Sequence, residues 1–498
     1  MPPHSADFSM ERRKVAEPVA LPPTEFLTGR DNMFLTVEDE FHYMNVSGLY
    51  YFPAAMTAEE MKGHISAFAN QFSRCRQKLV RPPGLFDRPY WVADTDYTID
   101  NHFTRVQLPA PATDLELMDV AGPLHAAELD KSKPLWHCYW FDGLDGGNKK
   151  AILFVAHHAI ADGQGFVRSL LTFVAAQDPT IADVRKLQYS AGRHSPSPVA
   201  CQNAKKPETQ LTLATRTTNA VTSQAVGILV FLAALLSYAF NYILLVVIPR
   251  TSYTSNTKTT KKQVAWTTTH IPLDKVKAIK NRYGVTVNDV LTACVGSAMG
   301  SQLPADKQDP RLWLLIPTSM RHPDDLSASN KTSGYILGVP NGARFDIGQR
   351  IRGVNSCMRT AKGSPEAVLN YSSLELMYRY PNAFPKFFLR GANFLTGVLT
   401  NVPGANTPLT WGQHEIKDMI ALIPQAGPNS VSCAVYTYHG AVTLSVHMDH
   451  MPGHEVFGDG AAKSIILAFE KAIDAAYVHS QALAIEQGYA YKEVKKIQ

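Results

Sequence analysis

Ala151-Ile-Leu-Phe-Val-Ala156 runs directly into His157-His158-Ala-Ile-Ala-Asp162-Gly163, and Phe166, Leu170, Leu171, Phe173 and Val174 follow. Six consecutive apolar residues make a run of strand length. Continuous rather than alternating apolarity predicts a strand covered on both faces. The Asp162-Gly-Gln-Gly165 stretch punctuates it, and the apolar positions beyond recur at helical spacing. Successive strand residues point to opposite faces, so only one of the two histidines can face a given cavity. A histidine at a strand end, before a Gly-containing turn, has the exposure and near-neutral pKa of a general base. The alternative is a pair of structural histidines, with Asp162 as N-cap of the next helix.

Elements on either side extend this strand–loop–helix unit. Phe34 to Phe52 alternates well enough to predict strands, and Thr57-Ala-Glu-Glu60 is a capping-box pattern opening a helix with Met61, Ile65, Phe68 and Phe72 on one face. Farther on, Thr268–Pro272, Leu312–Pro317 and Val442–Met448 are expected as strands. Leu273–Arg282, a segment opened by Thr286-Val-Asn-Asp289, and Ala461–Tyr477 are expected as helices. Interleaved strands and helices on both sides of a central insert give an α/β (α+β) chain in two lobes. The expected divisions are a flexible leader (1–26), a first lobe (27–185), a linker (186–265) and a second lobe (266–498). Within the linker, Ala225 to Ile248 is a run of 24 uncharged residues, with Arg250, Lys258, Lys261 and Lys262 beyond it. That is long enough to cross a hydrocarbon layer of about 30 Å once. One crossing would put the lobes on opposite sides and two need roughly 40 residues at 1.5 Å per residue, so an in-plane or re-entrant helix is expected, with a buried core helix as the alternative.

Of the 498 residues, 18% are charged, below the roughly 25% of ordinary soluble proteins. The net charge of +5 is spread without a dominant Lys/Arg block, which excludes nucleic acid as the expected partner. A low charge fraction suits a protein that handles a membrane or a greasy substrate. Six scattered cysteines fit a reducing compartment, and the leader has no apolar run of a secretory signal, so the lobes are expected to face the cytosol. His447, His450 and His454 near Asp449 straddle a strand end and a Pro-Gly turn; they are expected to face solvent, with no metal bound. Neither G-x-x-x-x-G-K-[ST] nor G-x-S-x-G occurs, which argues against an NTPase or an α/β-hydrolase.

H-H-x-x-x-D-G after a strand resembles the signature of the CoA-dependent acyltransferase superfamily. Further segments match one branch in order: Asp31-Asn-Met-Phe34, Pro134-Leu-Trp136, Asn288-Asp289, Pro317-Thr-Ser-Met-Arg321 followed by Asn330, and Thr400-Asn-Val-Pro-Gly404. From about residue 27 to 475 the chain resembles the wax ester synthase/acyl-CoA:diacylglycerol acyltransferases, its insert looking like that of the plant-type members. The resemblance implies two lobes, each a mixed sheet with helices, and an active-site tunnel between them. It implies transfer of a fatty acyl group from acyl-CoA, as co-substrate and without a cofactor, to a long-chain fatty alcohol or to diacylglycerol.

By the same resemblance, His158 would deprotonate the acceptor hydroxyl, with His157 in support. Asp162 would pair with an arginine, for which Arg321 is the candidate. Gly163 would let the backbone approach substrate or take an unusual φ. Asn288 and Asp289 are either the first turn of a helix or groups that stabilise an oxyanion or bind substrate. Thr400–Gly404 is either an ordinary Pro-Gly turn or, by the family match, part of the cavity. A membrane surface, expected to be that of the endoplasmic reticulum, completes the expected partners. The rivals are another acyltransferase of the superfamily with a different alcohol acceptor and a non-catalytic lipid-binding protein of the same fold. The D-F-G-W-G of plant-type alcohol acyltransferases is missing.

Overall fold

The computed structural model describes residues 23–178, 181, 183–189, 257–304, 310–380, 382, 395–425, 427 and 430–497. The leader to residue 22, Cys201 and the uncharged run 225–248 lie outside the described residues. Among the described residues, no helix is long and apolar enough to cross a membrane.

Two mixed sheets organise the chain. The first is five-stranded, in the order Asp418–Leu422, Asn45–Pro53, Lys149–His157, Trp136–Asp142, Phe103–Gln107. Its last pair is parallel and the others antiparallel. Lys149–His157 lies at the centre, and the alternation hidden in its apolar run now has a cause. Ala151, Leu153 and Val155 join one buried cluster, while Ile152, Phe154 and Ala156 join another. Burying side chains of this size contributes about 1.5–3 kcal/mol each for the larger ones. The second sheet is seven-stranded and also mixed. Its parallel strands Arg311–Ser319, Gly397–Pro403 and Val431–Tyr438 lie between antiparallel Thr332–Pro340 and Ala441–Asp449, with Lys262–Trp266 at the far edge. One strand of the first sheet, Asp418–Leu422, comes from the second half of the chain.

The expected capping boxes form at Thr57–Glu60 and Thr286–Asp289, opening helices Ala58–Gln71 and Val287–Gly300. Leu273–Tyr283 is helical as expected, and the helix predicted over 461–477 continues from Ala461 to Ile497.

Two local expectations are corrected. Phe34 lies in a helix, Gly29–Val37, because Thr28 accepts from the Asp31 amide while Asp31 accepts from the Thr28 amide. That reciprocal cap outweighs the alternating pattern, and strand begins only at Asn45. The leader is also shorter than expected, since Glu25–Phe26 pairs with Tyr90 and Trp91. The described cysteines are all unpaired, and all but Cys357 are buried.

Candidate active site

His157 and His158 end the central strand, and the alternation of the strand separates them. His157 is buried. Its Nε2 lies 3.0 Å from Glu38 Oε2, and its Nδ1 accepts from the Ala159 amide at 3.0 Å. Lys131 holds the other Glu38 oxygen at 2.7 Å. Burial alone would raise the Glu38 pKa, but His157 and Lys131 outweigh it and hold the carboxyl below its ordinary value. His157 is thus occupied on both nitrogens in a buried ion-pair cluster. Sequence reasoning missed Glu38.

His158 is partly exposed, and its ring stacks on Phe34 with centroids 3.7 Å apart. Its amide donates to Met44 O, and its Nδ1 lies 3.2 Å from Asn330 Oδ1. Its Nε2 has no hydrogen-bond partner among the described residues. Loss of hydration pushes the His158 pKa down to about 4, against the opposing pull of the nearby Asp162 carboxylate. The imidazole is therefore neutral at physiological pH, with one nitrogen engaged and one open. That is the state a general base requires.

Asp162 is both things the sequence left open. It is the N-cap of helix Gly163–Gln177, its Oδ1 accepting from the Gly165 amide at 2.7 Å. The same oxygen accepts from Arg321 Nη2 at 3.1 Å. Oδ2 accepts from the Lys331 amide at 2.7 Å and from the Thr332 hydroxyl at 2.9 Å. Arg321 is itself buried, donating also to the Ser327 and Ser329 carbonyls. One carboxylate therefore ties the loop after the histidines to the 321–332 segment of the other half.

Gly163 does not take an unusual φ. A Cβ there would lie 3.3 Å from Val402 Cγ2. The tighter glycine is Gly165, where a Cβ would meet Arg321 Nη2 and Ser329 O at 3.0 Å. The sequence reading passed over it.

Asp289 is turned away from any oxyanion role. Its carboxylate caps Thr286 and accepts from Asn355 Nδ2 at 2.8 Å, and a carboxylate would repel a developing negative charge. Asn288 is partly exposed, and its Oδ1 lies 3.5 Å from Asn401 Nδ2. Thr400–Pro403 is strand rather than turn, in parallel register with Ala434–Thr437, and Gly404 continues into the same pairing through its amide to Thr437 O. His447 is corrected too. It is buried in the strand Ala441–Asp449, edge-on to His125 at 4.8 Å, instead of facing solvent. Its neighbours behave differently: His450 pairs with exposed Asp459, and His454 accepts from the Val456 and Phe457 amides. Trp136 of Pro134–Trp136 serves the core, its indole donating to Cys75 O.

Comparison with known proteins adds independent findings. Residues 27–291 match the wax ester synthase/diacylglycerol acyltransferase catalytic domain, and residues 328–465 match the C-terminal domain of the same family. A "probable diacylglycerol O-acyltransferase" of Mycobacterium tuberculosis is 24% identical over 445 residues, covering 85% of this chain and 91% of that one. A second from the same organism is 26% identical over 409 residues, covering 78% and 86%. Among solved structures, the wax ester synthase/diacylglycerol acyltransferase of Marinobacter aquaeolei VT8 superposes with a TM-score of 0.59 at 18% identity, covering 92% of this chain and 100% of that one. A trichothecene 15-O-acetyltransferase of Fusarium sporotrichioides shares the fold at TM-score 0.57 and 11% identity, covering 91% and 94%.

Proposed function

The chain belongs to the wax ester synthase/diacylglycerol acyltransferase family, and on that premise we propose how its residues carry out acyl transfer. It is an O-acyltransferase that moves an acyl group from acyl-CoA to the hydroxyl of an alcohol or of diacylglycerol. His158 Nε2 takes the hydroxyl proton as the oxygen attacks the thioester carbonyl. The tetrahedral oxyanion collapses, the C–S bond breaks, and the proton passes from the imidazolium to the departing CoA sulfur, leaving ester and free thiol. A thioester is already activated, so no acyl-enzyme and no cofactor is needed. His157 supports His158 from the buried side through Glu38, and Asp162 with Arg321 holds the loop. Asn288 is the remaining candidate for an oxyanion or substrate contact.

The observation that carries this reading is the pair of environments at the strand end, His157 sealed and His158 open at one nitrogen. Purified protein supplied with a long-chain acyl-CoA and either hexadecanol or diacylglycerol should release free CoA and form ester. Failure with both acceptors would leave a lipid-binding protein of the same fold.

The membrane is the other proposed partner. Supporting it are the 24 uncharged residues 225–248 and exposed apolar side chains on both halves. Phe86 is 71% and Phe26 58% exposed in the first half, and Leu376 61% in the second; Phe86 meets Tyr380 and Arg88 lies over Phe26. Lys258 and Lys261 are exposed and available to anionic headgroups. Lys262 is not, because its ammonium is buried against Asp449. The acceptors are lipids and acyl-CoA is soluble, so the lobes sit on the cytosolic face of a lipid-synthesising membrane, that of the endoplasmic reticulum.

A further inference from the structure

Asn330 lies on the second half of the chain and touches His158 twice. Its Nδ2 donates to the His158 carbonyl at 2.8 Å and to Asp31 Oδ1 at 2.9 Å, while its Oδ1 faces His158 Nδ1 at 3.2 Å. The orientation of this amide is not arbitrary. A carbonyl oxygen can only accept, and so can an ionised carboxylate. Rotating the amide by half a turn would aim its oxygen at both acceptors at once. Asp31 cannot adapt, because its other oxygen is spent capping the Thr28 amide at 3.2 Å, and the side chain is buried at the first turn of its helix. Asn330 itself is 2% exposed, so water offers no exchange of partners.

The consequence falls on the imidazole. With Asn330 Oδ1 fixed opposite Nδ1, that nitrogen must carry the hydrogen. A neutral imidazole has one donor and one acceptor nitrogen, so Nε2 is left with its lone pair free. We infer that Asn330, locked by Asp31, is a positioning residue that holds His158 in the Nδ1–H tautomer, leaving Nε2 as the proton acceptor. This deepens the general-base reading above and rests on it. It also gives the Asp31 carboxylate, which burial raises above its ordinary pKa, a task beyond its helix cap. The base is completed by a side chain more than 170 positions along the chain.

Nitrogen-15 spectra of histidine-labelled full-length protein test the assignment directly, with His158→Ala subtracted to identify the resonances. The expected wild-type signature is a protonated Nδ1 and an unprotonated Nε2 at neutral pH. The opposite pattern overturns the inference whatever any variant does. Asn330→Ala should lose that signature and lower kcat about 10–100-fold with KM for acyl-CoA within about twofold. Reversing the tautomer in a serine-protease triad costs about 10⁴-fold, and here the preference is released rather than reversed. Asn330→Asp sets an oxygen against the His158 carbonyl and Asp31 Oδ1, the clash that fixes the amide's orientation, so it should not rescue Asn330→Ala. Equal spectra and kcat in wild type and Asn330→Ala would refute the positioning role. Activity surviving in His158→Ala would instead refute the general-base reading on which it rests.

Discussion

Replacing Asp162 by Asn changes one atom type and keeps the shape, yet the structure predicts a large effect. Oδ1 receives the Gly165 amide and Arg321, and Oδ2 receives the Lys331 amide and the Thr332 hydroxyl. With NH₂ at the Oδ1 end, two donors lose their charged acceptor; at the Oδ2 end the Thr332 hydroxyl can turn to accept, and the Lys331 amide alone loses its partner. Bonds to charged groups contribute about 1.5–3 kcal/mol each, giving roughly 1.5–6 kcal/mol. Breaking one side of a buried ion pair costs about 3–5 kcal/mol by a separate route. Arg321 keeps its contacts with Ser327 and Ser329 and has Asp325 at 3.6 Å, so its charge is not stranded and the loss stays within that range. For a cooperative unit of about 150–250 residues, 3–5 kcal/mol lowers Tm by roughly 6–20 °C. His158 lies only four positions upstream, and a displacement of about 1 Å there is enough to cost about 10²-fold in rate. Differential scanning calorimetry and a CoA-release assay on Asp162→Asn should therefore show both losses. Asp162→Glu should also fail, since its extra methylene enters a packed loop. An Asp162→Asn protein with Tm within 2 °C of wild type and full activity would reduce Asp162 to a replaceable helix cap and refute the reasoning.

His158→Ala should cut kcat about 10²–10⁴-fold while leaving Tm nearly unchanged, whereas His157→Ala should lower Tm more and kcat less, because it leaves Glu38 buried with Lys131 alone; the opposite ranking in paired melting and kinetic measurements would reassign the base. Burial holds His158 and His125 near pKa 4, so a pH–rate profile should keep its acid limb well below pH 6.5, and a limb at 6.5 in folded protein would contradict the His158 environment. Stability should move the same way. The unfolded chain takes up these protons first as pH falls, so the folded state loses ground between pH 6.5 and 4, by up to about 3 kcal/mol for His125, measurable by urea titration at stepped pH. Gly165→Ala should impair activity and stability more than Gly163→Ala, since only the former drives a Cβ against backbone and the buried guanidinium. Deleting 225–248 should release the protein from liposomes in flotation assays and spare transfer to detergent-dispersed alcohol; retained binding by the deletion would move the docking role to exposed Phe26, Phe86 and Leu376.

The parts of this molecule written in short-range chemistry were legible. The central strand, the caps at Thr57 and Thr286, and the paired histidines all follow from patterns a few residues long. Gly29–Val37 was misread because a helix of nine residues carries little periodicity. What was not legible is what crosses the chain. Nothing near Asp418–Leu422 says that it will pair with Asn45–Pro53, some 370 positions upstream, since an edge strand's partner is decided by global packing. His447 shows the same limit, its strand being buried by elements remote in sequence. In the site, the motif located His158 and Asp162, and the resemblance suggested Arg321. The roles of Glu38, Gly165 and Asn330 depend on contacts as long as the 119 positions from Glu38 to His157 and the 299 from Asp31 to Asn330, and only the folded chain displays them.

Those long-range contacts also constrain the proposed docking on a bilayer. The halves before and after the insert are interlocked rather than merely adjacent. Asp418–Leu422 is a strand of the first half's sheet, and helix Asp114–Ala126 packs on the strand Lys262–Trp266. The Gly29 amide donates to Glu375, and a Cβ on Gly29 would overlap the Glu375 carbonyl, so the two backbones are in direct contact. Asn330 bridges Asp31 and His158, and Arg321 reaches Asp162. Each of these would have to be broken for the halves to lie on opposite faces of a membrane, and the general base would lose both its loop anchor and its orienting amide. A single crossing within residues 190–256 is therefore incompatible with this fold. Two crossings exceed the reach of 24 uncharged residues by about 16. The proposed in-plane or re-entrant segment satisfies both constraints, and on that proposal His158 would stay on the aqueous side from which acyl-CoA would arrive.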